Sequence, residues 1–378
     1  VQDIFHRFYP AYLDQYSPSP VQANVAHNIM NCKTGAYGAN VCVCEDCGFV
    51  QIHYNSCRNR CCPMCQAVPK EMWMDARRED VLDAPYFHLV FTVPDILNPV
   101  IYSNQRLLYD ALYHAASSTI SELTADPKHL GAKVGYICIL HTWGSEMNFH
   151  PHIHTILLGG GLASNNQWKD NGENFFLPIR VISKMFRGKY LEELKRLWEE
   201  DKLVFHGTAE KFRNHYTFKE LLDSCYGMDW IPHCKKTFNG AQTVIKYLGK
   251  YTHRIAVSNH RIVRMDDDTV TFLVKDYRNE GQWKELTISG VEFVRRFLMH
   301  VPPRRFVRIR HYGLLCSRTK SQKLTLCRNL LGCKKYLSKL RDMEMPEILE
   351  HLYGIKVCVC KACGGHLGKP QMRMPLRC

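Results

Sequence analysis

Two short stretches, "CVCEDCGF" and "CCPMCQ", constrain this chain more than any other feature. The first carries Cys44-x2-Cys47 followed by Gly48; the second carries Cys62-x2-Cys65 with Pro63 inside. Cysteines at this spacing close a tight turn whose backbone amides support two thiolates, and two such turns can complete a tetrahedral four-thiolate zinc site. Fourteen residues separate the two pairs, so Cys44, Cys47, Cys62 and Cys65 are expected to close a ribbon around one structural Zn2+. The chain holds 18 cysteines. A disulfide framework suits a small secreted domain, whereas clustering in close pairs points to metal. Cys32, Cys57 and Cys61 are left over, with Cys42 nearby, as a second zinc site or as competing ligands for the first. Near the other end, Cys360-x2-Cys363-Gly364 is a further knuckle. Cys327 with Cys333, or Cys358 with Cys378, could complete it as a third site.

Beyond the cysteine-dense first ~80 residues the pattern changes to β-favouring apolar runs, "YFHLVFTV", "VGYICILHTW" and "HIHTILLGG". Helical stretches alternate with them, such as "NQRLLYDALYHAASSTISELT" and "KYLEELKRLWEE", as in an α/β or α+β domain of roughly 200 residues. A "DDD" turn between "RIVRM" and "TVTFLV" predicts a hairpin. No window approaches the ~18 consecutive apolar residues of a membrane-crossing helix. The opening "VQDIFHRFYPAYLDQY" lacks a basic start followed by an apolar run, so no signal peptide is expected and a cytoplasmic, nucleoid-associated location is.

Charge is distributed unevenly. The net charge is +14, and Arg295 to Arg341 contains fourteen Lys or Arg and no Asp or Glu, so this one tract carries the whole excess. A solvated helical face mixes signs; a long single-sign tract suits a polyanion such as DNA. Arg295, Arg296, Arg304, Arg305, Arg308 and Arg310 are the expected phosphate contacts.

In "FHPHIHTILLGGG" three histidines alternate, His150, His152 and His154. On a strand, alternate side chains share a face, so His152 and His154 can bind one cation together while Ile153 points into the core. His150 lies at the loop edge beside Pro151. A third ligand should come from a neighbouring strand, and His141 in "ICILHTW" is the natural candidate, because the short connection favours antiparallel pairing. Alone, His-x-His equally describes a structural or solvated pair. Downstream, "KYLGKYTHR" puts Tyr247 and Tyr251 four apart, on one face if helical. Such a pair commonly packs in a core, yet a tyrosine hydroxyl beside a cation can also attack a phosphodiester.

At these residues the sequence resembles the rolling-circle transposases of insertion sequence family 91, members of the HUH endonuclease superfamily. The His-hydrophobic-His motif corresponds to His152-Ile153-His154, and the two-tyrosine motif to "YLGKYTHRIAVSNHR". The stretches "YNSCRNRCCPMCQ", "PYFHLVFTVP" and "FVRIRHYGLL" also look like that family. Two departures lie in the zinc region. Cys61 stands where the family typically has a histidine, and Asn40 replaces an earlier family histidine.

The resemblance implies an α+β fold, with an HUH-type antiparallel sheet and flanking helices preceded by a cysteine-rich zinc-binding domain. It divides the chain into a DNA-recognition domain (1–82), a catalytic domain (83–300) and a basic carboxyl-terminal region with a knuckle (301–378). It implies a single-strand endonuclease and strand transferase in which His152, His154 and His141 hold Mg2+ or Mn2+ and Tyr247 or Tyr251 forms a 5′-phosphotyrosine. Imidazoles hold hard ions weakly, so an exchangeable metal is expected there. Single-stranded or hairpin DNA is the implied partner, with Trp143 and Tyr312 available for stacking. No ATP is needed, in keeping with the absence of a P-loop motif. A replication initiator or relaxase would share this chemistry, though nothing helicase-like is present; a zinc-dependent regulator without catalysis would leave the histidines and tyrosines structural.

Overall fold

The computed structural model describes residues 1–171, 177–230, 233–238, 244, 249, 256–276 and 281–373. Twelve strands are defined there: β1 (Ala39–Val43), β2 (Val50–Tyr54), β3 (Tyr86–Thr92), β4 (Lys133–Trp143), β5 (Phe149–Leu162), β6 (Trp168–Asp170), β7 (His233–Phe238), β8 (Ile262–Met265), β9 (Thr269–Asp276), β10 (Gln282–Ser289), β11 (Ile309–Gly313) and β12 (Gln371–Arg373). They form three antiparallel sheets, so the fold is α+β. The largest has the order β11-β4-β5-β3-β7, with β6 added to the end of β5.

The central strands of this sheet are apolar on both faces because helices cover both. On one side, the helix Gln105–Ala125 turns Leu108, Leu112, Ala116 and Ile120 inward at helical spacing. With Ile182, Phe186, Tyr190 and Leu194 of the helix Ile179–Glu199, they bury Phe87, Leu89, Cys138, Ile153 and Leu157. On the other side, Trp73 and Met74 of the helix Ala67–Arg78 and Leu324 and Cys327 of the helix Lys320–Leu331 pack on Tyr86, Ile137, Ile139 and Ile156. A Cβ on Gly160 would run into the Trp168 ring, and one on Gly161 into the Lys133 carbonyl. The glycine run therefore lets β6 and β4 close on the end of β5.

A second layer joins the two ends of the chain. The helix Gln2–Leu13 buries Ile4, Phe5 and Phe8 against Phe293 and Phe297 of the helix Gly290–Met299 and against the sheet β10-β9-β8. The helix Pro20–Met30, which opens with a Ser19/Gln22 capping box, adds Val25, Ala26 and Ile29. The expected division of the chain differs from this packing at both ends. β11, expected in the carboxyl-terminal region, is an edge strand of the main sheet, and β12 pairs with β1 of the amino-terminal hairpin. Among the described residues no helix is long and apolar enough to cross a membrane.

His300 sits in the seam between the layers, donating from Nε2 to the Met147 carbonyl (3.0 Å) and accepting at Nδ1 from the Thr142 hydroxyl (3.2 Å). Burial pushes its pKa down to about 4, against 6.5 for a free imidazole. Below pH 6.5 the unfolded chain takes up a proton that the folded one refuses, so stability is complete above that pH and falls between pH 6.5 and 4. The loss from this one group amounts to on the order of 3 kcal/mol. Denaturant unfolding at pH 7 and 4.5 should show a smaller acid loss for His300→Gln than for the parent; equal losses would rule His300 out as a contributor.

Candidate metal centre

Register carries three histidines of the main sheet to one point. β4 and β5 pair with His141 opposite His152 and Ile139 opposite His154, so the three imidazoles share a face. One ring nitrogen from each lies within 4.8 Å of the others, a separation that one cation can bridge, and all three residues are at most 9% exposed. His152 Nε2 and His154 Nε2 are 3.1 Å apart.

The surrounding contacts orient each ring. His152 donates from Nδ1 to the His150 carbonyl at 2.7 Å, which leaves the Nε2 lone pair facing inward. Burial pushes its pKa down to about 4, so the ring is neutral, the form that binds metal. His154 Nδ1 is hydrogen-bonded to His88 Nε2 at 2.9 Å, with the two rings stacked. His141 stacks on Trp143 with centroids 4.5 Å apart. Such outer contacts set the tautomer and aim of a ligating histidine. His150 stands outside the group and pairs with Asp95 at 3.2 Å.

Sequence reasoning missed His88. A single histidine in "YFHLVFTV" resembles a stray polar residue in a buried strand. Only the β3–β5 register, with His88 opposite Ile156 and Val90 opposite His154, sets it diagonally beside His154. Tyr247 and Tyr251 lie outside the described residues. Of the segment that carries them, Val244 is buried on the histidine-bearing face with Ile137, Ile139 and Ile156, and Gly249 lies against Met74.

The zinc expectation needs correction. Cys44 and Cys47 do not join Cys62 and Cys65. The first group is Cys32, Cys57, Cys62 and Cys65; the second is Cys44, Cys47, Cys360 and Cys363. The reason is the β1–β2 hairpin. Its turn carries the Cys44 knuckle, whereas Cys57 follows the far end of β2, about 16 Å away for five residues at the usual rise. Within the first group Cys65 Sγ is 3.4 Å from Cys32 Sγ and 3.6 Å from Cys57 Sγ. Tetrahedral zinc at ~2.3 Å from each sulfur requires separations of about 3.8 Å. Cys61 belongs to neither group. It is buried beside Arg60 and Arg308, and burial raises its thiol pKa. Asn40 is occupied by Asn55, 3.0 Å away. Cys327 is buried against the main sheet, and Cys378 lies outside the described residues.

The basic tract is partly consumed internally. Arg295 and Arg296 both bind Glu292, at 2.6 and 2.7 Å, and these bonds, Arg295's foremost, hold that carboxyl down to about 2. Arg310 pairs with Asp110 and lies over the Tyr113 ring. Lys320 binds Asp80 and Arg341 binds Glu79. Arg304 and Arg305 are exposed, and Arg308 is half-buried. Trp143 and Tyr312 are packing residues, Trp143 on His141 and Tyr312 stacked on Tyr136.

Comparison with known proteins bears on these features. Residues 135–323 match the family described as "Putative transposase", and residues 4–93 match the "Transposase zinc-binding domain". Zinc is thus the metal of the cysteine-rich region. The chain is 40% identical to "Putative transposase y4qJ" of Sinorhizobium fredii, over 96% of this chain and 92% of that protein. It is 30% identical to "Transposase for insertion sequence element IS801" of Pseudomonas savastanoi pv. phaseolicola, over 80% of this chain and 72% of that protein. Among solved structures, a metal-bound conjugative relaxase TrwC in complex with oriT DNA is similar over 44% of this chain and 73% of that one. The identity is 13% and the TM-score 0.24, a likeness too slight to carry any argument.

Proposed function

This chain belongs to the transposases of insertion sequence family 91, and from that premise we propose that it nicks and rejoins single-stranded DNA through phosphotyrosine intermediates, as HUH-type rolling-circle transposases do. The observation that carries this reading is the convergence of His141, His152 and His154 on one face of the sheet. Val244, three residues before Tyr247, is buried on that same face.

The donor set fits a divalent cation, because three imidazoles leave coordination positions open for phosphate oxygens and water. Mg2+ or Mn2+ held by His141, His152 and His154 would polarise the scissile phosphate and stabilise charge on its oxygens. His152 keeps its Nδ1 proton on the His150 carbonyl, and His154 is held by His88, so both Nε2 atoms stay aimed inward. The hydroxyl oxygen of Tyr247 or Tyr251 forms the new bond to phosphorus as the bond to the 3′-oxygen breaks. The products are a 5′-phosphotyrosine and a free 3′-hydroxyl. Attack by another 3′-hydroxyl reverses the step and joins strands, and a second tyrosine lets two ends be held in alternation. Because the phosphotyrosine conserves the bond energy, no nucleotide is consumed. The exposed Arg304 and Arg305, with the half-buried Arg308, would take DNA phosphates in a single-stranded or hairpin end.

The test is a denaturant-stable protein–DNA adduct formed on labelled single-stranded DNA carrying the element's ends, with Mg2+ or Mn2+ present. The adduct should form with the parent chain and vanish in the Tyr247→Phe, Tyr251→Phe double variant. No adduct on any end-derived strand, or an adduct that survives in the double variant, defeats the proposal.

A further inference from the structure

The knuckle at Cys360 lies more than three hundred residues from the one at Cys44, yet the fold seats them face to face. Cys44 Sγ is 3.5 Å from Cys363 Sγ, and Cys47 Sγ is 3.8 Å from Cys360 Sγ. The two turns are built alike. Gly48 donates its amide to the Cys44 carbonyl at 3.0 Å, and Gly364 donates to the Cys360 carbonyl at 2.9 Å. Both glycines have left-handed φ, 71° and 78°, which a side chain would oppose. Backbone amides also point at the sulfurs of the second turn, from Ala362 to Cys360 and from Gly365 to Cys363, each at 3.4 Å.

The chain around the four thiols is already paired. β12 lies along β1 with Val41 opposite Gln371, Glu45 donates to the His366 carbonyl at 3.1 Å, and Gly368 donates to the Val43 carbonyl at 2.9 Å. Among the described residues the apolar cluster beneath consists of Cys42, Cys44, Cys360 and Leu367. So small a core cannot by itself offset the entropy of ordering the tail. Four thiols at zinc-site separations, over so small an apolar cluster, point to a metal.

We infer that one Zn2+, bound by Cys44, Cys47, Cys360 and Cys363, clasps the carboxyl-terminal tail to the amino-terminal hairpin. The amino-terminal zinc-binding region is then incomplete without the Cys360–Cys363 knuckle. The tail is also fastened along the helix Ala67–Arg78, where Asp75 accepts from the Tyr336 and Ser338 hydroxyls at 2.6 Å and from the Leu340 amide at 2.9 Å. The clasp closes that path, so hairpin, helix and tail respond to zinc as one unit.

Stepwise zinc removal from the full-length chain, with thiol alkylation mapped by peptide mass spectrometry, tests this in the unmutated protein. Cys44, Cys47, Cys360 and Cys363 should become reactive together, in a step that releases one zinc, apart from Cys32, Cys57, Cys62 and Cys65. Metal content of variants gives a second reading. Cys44→Ser with Cys47→Ser should lose one zinc per chain, Cys360→Ser with Cys363→Ser should lose one, and all four together should still lose only one. The inference is overturned if the fourfold variant loses two. It is equally overturned if Cys360 and Cys363 react freely in the zinc-loaded chain, or if Cys44 and Cys47 become reactive in step with Cys62 and Cys65.

Discussion

His154→Ala is expected to lower the rate of single-strand cleavage by about a thousandfold or more, the scale on which electrostatic stabilisation of a transition state is usually lost. His154 is the hub of the histidine group. Its Nε2 is 3.1 Å from that of His152, its ring centroid is 4.6 Å from that of His141, and its Nδ1 meets His88. Removing it would leave two of the three proposed ligands and take a buried partner from His88, at a cost in stability of about 2 kcal/mol. That is small enough for the fold and the zinc content to survive. Mn2+ affinity, read by calorimetry, should fall with the activity. His88→Leu leaves the three proposed ligands in place and loosens only the aim of one, so metal affinity should fall by roughly 10- to 100-fold. His150→Ala, outside the group, should change little. If His154→Ala instead unfolds the chain or releases an equivalent of zinc, the three histidines are structural.

Cys62→Ser should have the largest effect on stability. Its group ties three separate pieces of chain together: Cys32 just after the helix Pro20–Met30, Cys57 beyond β2, and Cys62 and Cys65 ahead of the helix Ala67–Arg78. Cys62 is fully buried in the layer formed with Phe5, Ala26, Ile29 and Phe297. Structural zinc contributes about 10–16 kcal/mol in small zinc domains, as much as the whole stability of a typical domain, about 5–15 kcal/mol. Loss of one zinc and of cooperative thermal unfolding in this layer is therefore expected. Cys61→Ser is the control. That thiol is also buried but belongs to neither cysteine group, so zinc content should be unchanged and the cost limited to burying a hydroxyl, about 1–3 kcal/mol. Metal analysis with circular dichroism melting separates the two cases, and a Cys62→Ser chain that keeps its zinc would contradict the assignment.

What could be read from the residues is what local chemistry and strand periodicity control. The Cys-x2-Cys-Gly turns at Cys44 and Cys360 are visible because the spacing and the glycine are requirements of the turn itself. The shared face of His152 and His154 follows from alternation, and the antiparallel placement of His141 follows from the short connection between β4 and β5. The apolar runs of β3, β4 and β5 announce strands covered on both faces.

Contacts between distant segments left no such trace. Which knuckle faces which depends on where the β1–β2 hairpin throws its turn and where the tail returns after some three hundred residues, and no spacing rule reaches that far. His88 acquires its meaning only through cross-strand register. The fourteen positive charges from Arg295 to Arg341 look alike in one dimension. Folding places Glu292, Asp110, Asp80 and Glu79 beside five of them and leaves Arg304 and Arg305 to solvent. The sequence by itself determined the turns, the strand faces and the kinds of ligand, because those depend on neighbours a few bonds away. The tertiary structure alone decided which ligands meet and which charges stay free, because those depend on how distant segments pack.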